Sequence, residues 1–194
     1  MKRMVWIVII FTIFAAAFTV FFVSGNLSGT TATGGGRIDN TDPNAPKVIE
    51  STEIVEFHCE FSTLTLAEAE KLRRGVYSLE AVLEENKVAG SYSIRIPGEE
   101  GENICFTAEP SFLTALQELV EKYDFVRHNG LSVRVSGLPN LYGVRLQVEY
   151  ASGEFIHAYH NQSRFLTIEE MVAMEALFYE QIATLVKNGE SGEG

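Results

Sequence analysis

A run of uncharged, apolar residues near the N-terminus constrains this sequence more than any other feature. The run extends from Met4 to Val23, and its only hydroxyl side chains, Thr12 and Thr19, can hydrogen-bond to helix carbonyls. At about 1.5 Å of rise per residue it forms a helix about 30 Å long, which matches the core of a bilayer. The run therefore predicts a transmembrane helix, and residues 1–23 are predicted to be a membrane anchor with a short N-terminal extension.

The distribution of basic residues predicts the orientation of this anchor. Lys2 and Arg3 precede the apolar run, and the next basic residue is Arg37. The positive-inside rule then places the N-terminus in the cytoplasm and the rest of the chain outside a single-pass anchor. The alternative is a signal peptide cleaved before Asn26, although signal-peptide cores are usually shorter, about 7 to 15 residues. In that case the same domain is secreted.

The charge of the remaining chain excludes one class of partner. The protein has 194 residues, with 26 acidic and 15 basic side chains. Because Lys2 and Arg3 precede the anchor, the rest carries 13 basic against 26 acidic residues, a net charge of −13. Such a surface repels phosphate backbones, so we expect no nucleic-acid partner.

Composition divides the chain beyond the anchor into three parts. Residues 24–46 contain five glycines, two prolines and only two large apolar side chains, Leu27 and Ile38, which predicts a flexible linker. Residues 47–188 have enough apolar positions for one core and are predicted to be the extracytoplasmic domain. Residues 189–194 are predicted to be a disordered tail.

Hydrophobic periodicity predicts an α+β domain with a mostly antiparallel sheet and two main helices on one face. The predicted strands are Glu53 to Phe61, a hairpin from Tyr77 to Ile96 that turns at residues 84–87, Ile104 to Thr107, Leu131 to Ser136, and a hairpin from Val144 to about Tyr159. The predicted helices are a short one from Leu66 to Arg74, one opened by Pro110 and Ser111, and a last one capped by Thr167 and Glu170. The last helix is predicted to bury Met171, Met174, Phe178, Ile182 and Leu185 and to end at Asn188-Gly189.

The register of the last hairpin follows from its turn. A three-residue loop, Ala151-Ser152-Gly153, with a left-handed Gly153, pairs Val148 with Ile156, Leu146 with Ala158, Gln147 with His157, and Arg145 with Tyr159. A two-residue Ser152-Gly153 turn would instead pair His157 with Val148. The first register is favoured because it separates polar from apolar side chains.

In that register an unusual set of side chains shares the polar face of the hairpin. The set is Arg145, Gln147, Phe155, His157 and Tyr159, and Arg134 can extend it. Aromatic rings on a nominally solvated face are typical of a binding surface. We interpret the set as the binding site for a protein or cell-envelope partner. The alternative is that the short helix or the loop of residues 137–143 covers it.

A second candidate site lies on the first strand. Glu56, His58 and Glu60 alternate along one face, with neighbouring side chains about 6.5 to 7 Å apart. As an alternative function they predict a cell-envelope hydrolase, with Glu60 as base and His58 as proton shuttle; otherwise they form a solvated strand face. The sequence has no phosphate-binding loop, zinc-binding His pair or nucleophile elbow. Binding is therefore favoured over catalysis, and no metal or cofactor is predicted.

The two cysteines are expected on opposite faces of the sheet. Cys59 shares its side of the strand with Val55, Phe57 and Phe61, whereas Cys105 alternates with Ile104 and Phe106. Opposite faces disfavour a disulfide, although the predicted location outside the cell would permit one.

Several short motifs resemble a known group of proteins. They are Tyr123-Asp124, Asn129-Gly130, Leu138-Pro139, Tyr150 to Glu154 and Asn161 to Ser163, within residues 109–187. In this order, before a last amphipathic helix, they resemble a group of uncharacterised exported or membrane-anchored proteins of Gram-positive bacteria. The resemblance implies a bacterial protein outside the membrane and supplies no catalytic residue. With the anchor it indicates a membrane-tethered extracytoplasmic binding or interaction domain.

The predicted topology can be tested with protease on intact cells. External protease is expected to remove the domain and leave a small membrane-bound N-terminal fragment, with cleavage among Gly34, Gly35 and Gly36, because a linker fits a protease cleft. Immunoblotting of both parts provides the measurement. A domain that is cut only after lysis, without shielding by a cell wall, would mean the opposite orientation. Release of a chain starting at Asn26 would instead mean a cleaved signal peptide.

Overall fold

The computed structural model describes residues 36–66, 72–137 and 143–190, and within them it forms one eight-stranded sheet and two α-helices. The strands are β1 (Arg37–Asp39), β2 (Ile54–Ser62), β3 (Val76–Glu84), β4 (Lys87–Arg95), β5 (Glu102–Ala108), β6 (Ser132–Val135), β7 (Val144–Tyr150) and β8 (Phe155–His160). The helices are α1 (Ser111–Lys122) and α2 (Ile168–Glu190), with a 3₁₀ turn at Phe125–His128. The strand order is β1-β6-β8-β7-β2-β3-β4-β5, antiparallel except for β6 and β8. The predicted α+β class and mostly antiparallel sheet are confirmed.

Both helices pack on the same face of the sheet through one aromatic cluster. Phe178 of α2 lies 6.2 Å from Phe57 of β2, 6.0 Å from Phe106 of β5 and 5.1 Å from Phe112 of α1, between ring centroids. Phe57 and Phe178 are completely buried. Burying side chains of this size contributes about 1.5 to 3 kcal/mol each, so the cluster fixes which face is covered.

The start of α2 follows the predicted capping box. The backbone N–H of Thr167 donates to Glu170 Oε2 at 2.7 Å, and the backbone N–H of Glu170 donates to Thr167 Oγ1 at 3.2 Å. These two bonds satisfy donors that the first turn of a helix leaves free. The end of the helix differs from the prediction, since α2 continues through Asn188 to Glu190.

The apolar stripe of α2 is buried over most of its length. Met171, Met174 and Phe178 are fully buried, as predicted, and Ile182 is 9% exposed. The prediction is wrong for Leu185, which is 37% exposed. At this point the stripe has reached the rim of the sheet, beside β5, so no strand remains to cover it.

The register of the β7–β8 hairpin is the predicted one. Gly153 adopts the left-handed conformation at φ 85°. The pairs are Val148 with Ile156, Leu146 with Ala158, Gln147 with His157, and Arg145 with Tyr159. The side chains of Phe155, His157 and Tyr159 therefore point away from the helices.

A bulge at the start of β2 corrects the predicted alternation. The sequence places Val55 inward with Phe57, but the structure buries Ile54 opposite Tyr150 and leaves Val55 half-buried. Glu56 then lies opposite Glu149, so Val55 is an extra residue in the β2 ladder. The extra residue of a bulge shifts the alternation by one position, so the residues before it lie on the opposite face from the one that simple alternation predicts.

Part of the predicted flexible linker is ordered. β1 pairs with β6, with Ile38 opposite Arg134, and therefore forms one edge of the sheet. Side-chain oxygens of Asp39 and Asp42 accept the backbone N–H groups of Thr41 and Asn44 in the turn that follows. Composition does not reveal this order because it depends on backbone bonds and not on buried apolar side chains. The folded domain thus begins at about Arg37 instead of Lys47.

Asn129 joins this segment to the sheet. Its side chain, 1% exposed, donates to the carbonyls of Pro46 and Phe155 at 3.0 and 3.1 Å and accepts the backbone N–H of His157 at 2.9 Å. The next residue, Gly130, has φ 85°, and an added Cβ would lie 2.5 Å from the Asp42 carbonyl oxygen. The Asn129-Gly130 motif therefore connects three parts of the chain.

Five predicted segments fall wholly or partly outside the described residues: the anchor at 1–23, the linker up to 35, most of the short helix, most of the loop at 137–143 and the end of the tail. Residues 67–71 of the short helix are not described, and residues 72–74 are not helical. In the described ranges, no helix combines the length and the apolar character needed to cross a bilayer.

Replacing Asn129 tests the connection between residues 42–47 and the sheet. Asn129→Ala is expected to lower the free energy of unfolding by about 2 to 4 kcal/mol, because it leaves buried carbonyl and N–H groups unpaired. Urea unfolding of the variant against the wild type measures the loss. Asn40→Ala, at an exposed position just after β1, is the matched control and should stay within about 0.5 kcal/mol. Equal stability of the two variants would contradict this role.

Candidate functional site

The face of the sheet opposite to the helices is the candidate functional surface. It consists of the outward side chains of the strands and is called the open face below. Its central members are Glu56, His58, Glu60, Ser78, Glu80, Val82, Ala89, Ser91, Ser93, Arg145, Gln147, Glu149, Phe155, His157 and Tyr159. Each of them is half-buried or exposed. Both described α-helices lie on the other side and leave this face uncovered. Residues 67–71 and 138–142, which belong to the two segments predicted as an alternative cover, lie outside the described residues.

Strand order brings the two predicted candidate sites together. Because β7 lies between β2 and β8, His58 faces Gln147, which in turn faces His157. Glu60 faces Arg145 in the next row, with Glu60 Oε2 3.9 Å from Arg145 Nε. The residues predicted separately for binding and for catalysis therefore form one continuous polar surface.

The predicted binding residues surround a shallow depression on the open face. The five residues Arg145, Gln147, Phe155, His157 and Tyr159 are called the aromatic patch. All but Phe155 line the depression, together with Gly130, Leu131, Ser132 and Ala158. Its volume is about 240 Å³. Phe155 lies beside it on β8 and is 48% exposed.

Ring contacts organise the aromatic patch. The guanidinium carbon of Arg145 lies 5.3 Å from the ring centroid of Tyr159, and the rings of Phe155 and His157 are 4.6 Å apart at an angle of 33°. A cation over an aromatic ring contributes about 0.5 to 1 kcal/mol at an exposed site. These contacts hold flat aromatic surfaces next to a guanidinium group that can donate several hydrogen bonds. Arg134, which also points to the open face, is exposed on β6.

His58 is held by a carboxylate that the sequence analysis does not identify. Its Nδ1 lies 2.9 Å from Glu80 Oε1 on the neighbouring strand, and its Nε2 lies 3.9 Å from Glu60 Oε1. Ser91 donates to the other oxygen of Glu80 at 3.1 Å. The hydrogen bond with His58 holds the pKa of Glu80 below its usual value. Glu80 is therefore a charged group that orients the imidazole.

Among the described residues, the surroundings of His58 supply no hydroxyl that is bonded to the imidazole. Its side chain is 14% exposed, and Nε2 has no hydrogen-bond partner among the described residues. Ser91, the hydroxyl residue of this network, donates to Glu80 and not to His58. The residues that line the depression also do not include Glu56, His58 or Glu60. The network can hold a proton, but it presents no activated nucleophile to a cavity.

Glu56 faces a second carboxylate directly. It lies opposite Glu149 on β7, whose Oε1 is 3.7 Å from His157 Nε2. Partial burial, and next the negative charge of Glu149, raise the pKa of Glu56 above its usual value. The like-charge pair is thus a destabilising feature at the centre of the open face, next to the aromatic patch.

The two cysteines lie on the faces that their alternation predicts. Cys59 is fully buried beneath the helices, and Cys105 is exposed on the open face. Both are free thiols, and burial strongly raises the pKa of Cys59. Among the residues that the structure describes, no three His, Cys, Asp or Glu side chains are grouped to hold a metal ion.

Known proteins offer no guide to this surface. No family model, curated protein or solved structure matches the chain. The geometry of the open face is therefore the basis for inferring a function. The sequence locates the aromatic patch through alternation and a turn, whereas Glu80 and Ser91 join the network through strand pairings that no local pattern specifies.

The like-charge pair predicts a dependence of stability on pH. Because the pKa of Glu56 is raised in the folded state, folding loses stability as the pH rises through that value. Glu56→Gln should raise the free energy of unfolding at pH 7 by roughly 0.5 kcal/mol, a small gain because water screens the pair. Near pH 3, where Glu56 is protonated because its pKa is raised, the gain should disappear.

Urea unfolding at the two pH values measures this effect. Glu149→Gln is the matched variant and should give a similar gain, and the double variant should add little because either change removes the repulsion. Strictly additive gains, or no gain at pH 7, would show that the two carboxylates do not interact.

Proposed function

We propose that this protein is a membrane-tethered extracytoplasmic domain that binds a protein or cell-envelope component through the aromatic patch. The observation that carries the proposal is the position of the patch on a sheet face that neither described α-helix covers. Tyr159, Phe155 and His157 provide apolar area there, and Arg145 and Gln147 provide hydrogen-bond donors. Rigid aromatic side chains beside an arginine are typical of the residues that dominate binding energy.

The distribution of charge on the domain supports selective binding at the aromatic patch. Acidic residues outnumber basic ones, and the chain beyond the predicted anchor has a net charge of −13. The depression nevertheless has Arg145 on its wall, with Arg134 on the neighbouring strand β6. Hydrogen-bonding or anionic groups of a ligand can be accepted locally while the rest of the surface repels other anions.

The position of β1 limits how far the proposed tether can reach. Residues 24–36 separate the end of the predicted span, Val23, from Arg37 at the start of the sheet. Fully extended, these residues reach at most about 45 Å. A membrane-anchored domain would thus act on components close to the membrane, whereas the secreted alternative would carry the same patch away from it.

A cell-envelope hydrolase remains the second candidate because Glu80 orients His58. In this alternative Glu60 would act as the base and the imidazole of His58, whose Nε2 lies 3.9 Å from Glu60 Oε1, would shuttle protons. The hydrolase predicts that His58→Ala abolishes release of soluble fragments from cell-wall sacculi. The binding proposal predicts no such release by either protein.

Binding to isolated envelope material tests the main proposal. The probes are purified cell-wall sacculi and detergent-extracted envelope proteins immobilised on a surface, each titrated with the full chain. Phe155→Ala/Tyr159→Ala should weaken the binding at least tenfold, the effect of losing about 1.4 kcal/mol or more. Tyr179→Ala removes an aromatic ring that is 56% exposed on α2 and is the matched control, which should bind like the wild type. Equal binding by all three proteins would show that the aromatic patch is not the binding site.

A further inference from the structure

The two edges of the sheet differ in how they are protected against pairing. β1 has three residues and an Arg37–Asp39 ion pair at 2.9 Å. β5 has seven residues, Glu102 to Ala108, and its one charged residue is Glu102 at the start. Short or charged edge strands prevent a sheet from pairing with another chain, and an unprotected edge is a template for pairing. Only β5 offers such a template within the described residues.

Every second residue of β5 directs its backbone N–H and C=O groups to this free edge. The β3–β4 hairpin closes with the pair Glu84 and Lys87, and hydrogen-bonded pairs alternate from there. The N–H and C=O groups of Tyr92 on β4 therefore point to its partner on β5, Ile104. By the same alternation, the N–H and C=O groups of Asn103, Cys105 and Thr107 point away from β4. No described residue bonds to them.

An apolar depression adjoins the same edge. It is lined by Ile104, Cys105, Phe106, Ile182 and Leu185, and its volume is about 280 Å³. Leu185 belongs to the buried stripe of α2 but is 37% exposed. The edge of β5 thus combines unpaired backbone groups with apolar side chains that lack a cover.

The sequence of β5 fits a second copy of itself. Cys105 is the middle residue of the strand, so a two-fold axis at Cys105 overlaps both strands fully. Antiparallel pairing about that axis places Asn103 opposite Thr107 of the other copy and Glu102 opposite Ala108. No like charges face each other, and the charge of Glu102 is already offset by its hydrogen-bonded ion pair with Arg73. The strand is therefore self-complementary.

We propose that β5 is a homodimerisation edge, at which two copies of the chain pair antiparallel about Cys105. The N–H and C=O groups of Asn103, Cys105 and Thr107 then form about six hydrogen bonds across the axis, and the two eight-stranded sheets become continuous. The apolar depression of each copy, which Leu185 helps to line, is then covered by the other copy. Because the axis is perpendicular to the sheet, both open faces point the same way. A dimer would present two aromatic patches to one surface.

Disulfide cross-linking of the reduced full chain in mild detergent tests the pairing and its register. Diamide takes two hydrogens from two thiols and joins them as a disulfide. Cys105 is expected to give a covalent dimer on non-reducing gels, and Cys105→Ser none. In the Cys105→Ser background, Asn103→Cys with Thr107→Cys should cross-link, because the two positions face each other.

Single replacements distinguish pairing from random collision. Asn103→Cys alone, in the Cys105→Ser background, should not cross-link, because the two copies of residue 103 are four residues apart in register, about 13 Å, which is beyond disulfide reach. If Asn103→Cys alone reacts as fast as the pair with Thr107→Cys, collision explains the products and the proposal fails. Absence of any Cys105 dimer would overturn it as well.

The mass of the full chain in sedimentation experiments gives an independent readout. Wild type and Cys105→Ser should sediment as dimers at micromolar concentration. Cys105→Lys should be monomeric, because it places two like charges directly opposite each other at an exposed position where the folded monomer tolerates a charge. Cys105→Pro should also be monomeric, because it removes an N–H that points to the partner and not to β4. A monomeric wild type, or dimers of both substituted chains, would refute the edge pairing.

Discussion

The contact of Phe178 with three other rings holds both helices against one face of the sheet. It connects α2 to β2, near the middle of the sheet, to β5 at the edge, and to α1. Since a strand presents alternate residues to its two faces, covering Phe57 and Phe106 also commits His58 and Cys105 to the uncovered side. One aromatic cluster thereby determines which side chains are core and which are available to a partner.

The uncovered side has a composition that is unusual for a solvated sheet face. It contains a like-charge pair, Glu56 and Glu149, and a histidine held between carboxylates, next to aromatic rings stacked with Arg145 and His157. None of these features adds much to the stability of the sheet, and the like-charge pair reduces it. Side chains that weaken a fold at an exposed position are typical of functional surfaces, which is why the open face, and not the helix layer, carries the proposed function.

The reach of sequence-based prediction differs between local and non-local features. Gly153 and the Thr167–Glu170 box are local signals, and they correctly give the β7–β8 register and the start of α2. The sequence does not predict β1, because this edge strand of three residues is held by backbone hydrogen bonds to β6, which lies far along the chain. The contact of Glu80 with His58 is not predicted for a similar reason, since it depends on the β2–β3 register. Leu185 follows the helical period, but no pattern shows that the sheet ends beneath it.

The helices cover one face of the sheet and leave the other open, and the two native thiols report on this difference directly. Thiol labelling of the fully reduced chain with a chromogenic disulfide should modify one cysteine, Cys105, rapidly in the folded state. Cys59 should react only at the rate of unfolding, because it lies beneath the helix layer and burial raises its pKa. Mass spectrometry of the labelled peptides identifies the site. Rapid labelling of both cysteines without denaturant, or of Cys59 before Cys105, would contradict this assignment of the two faces.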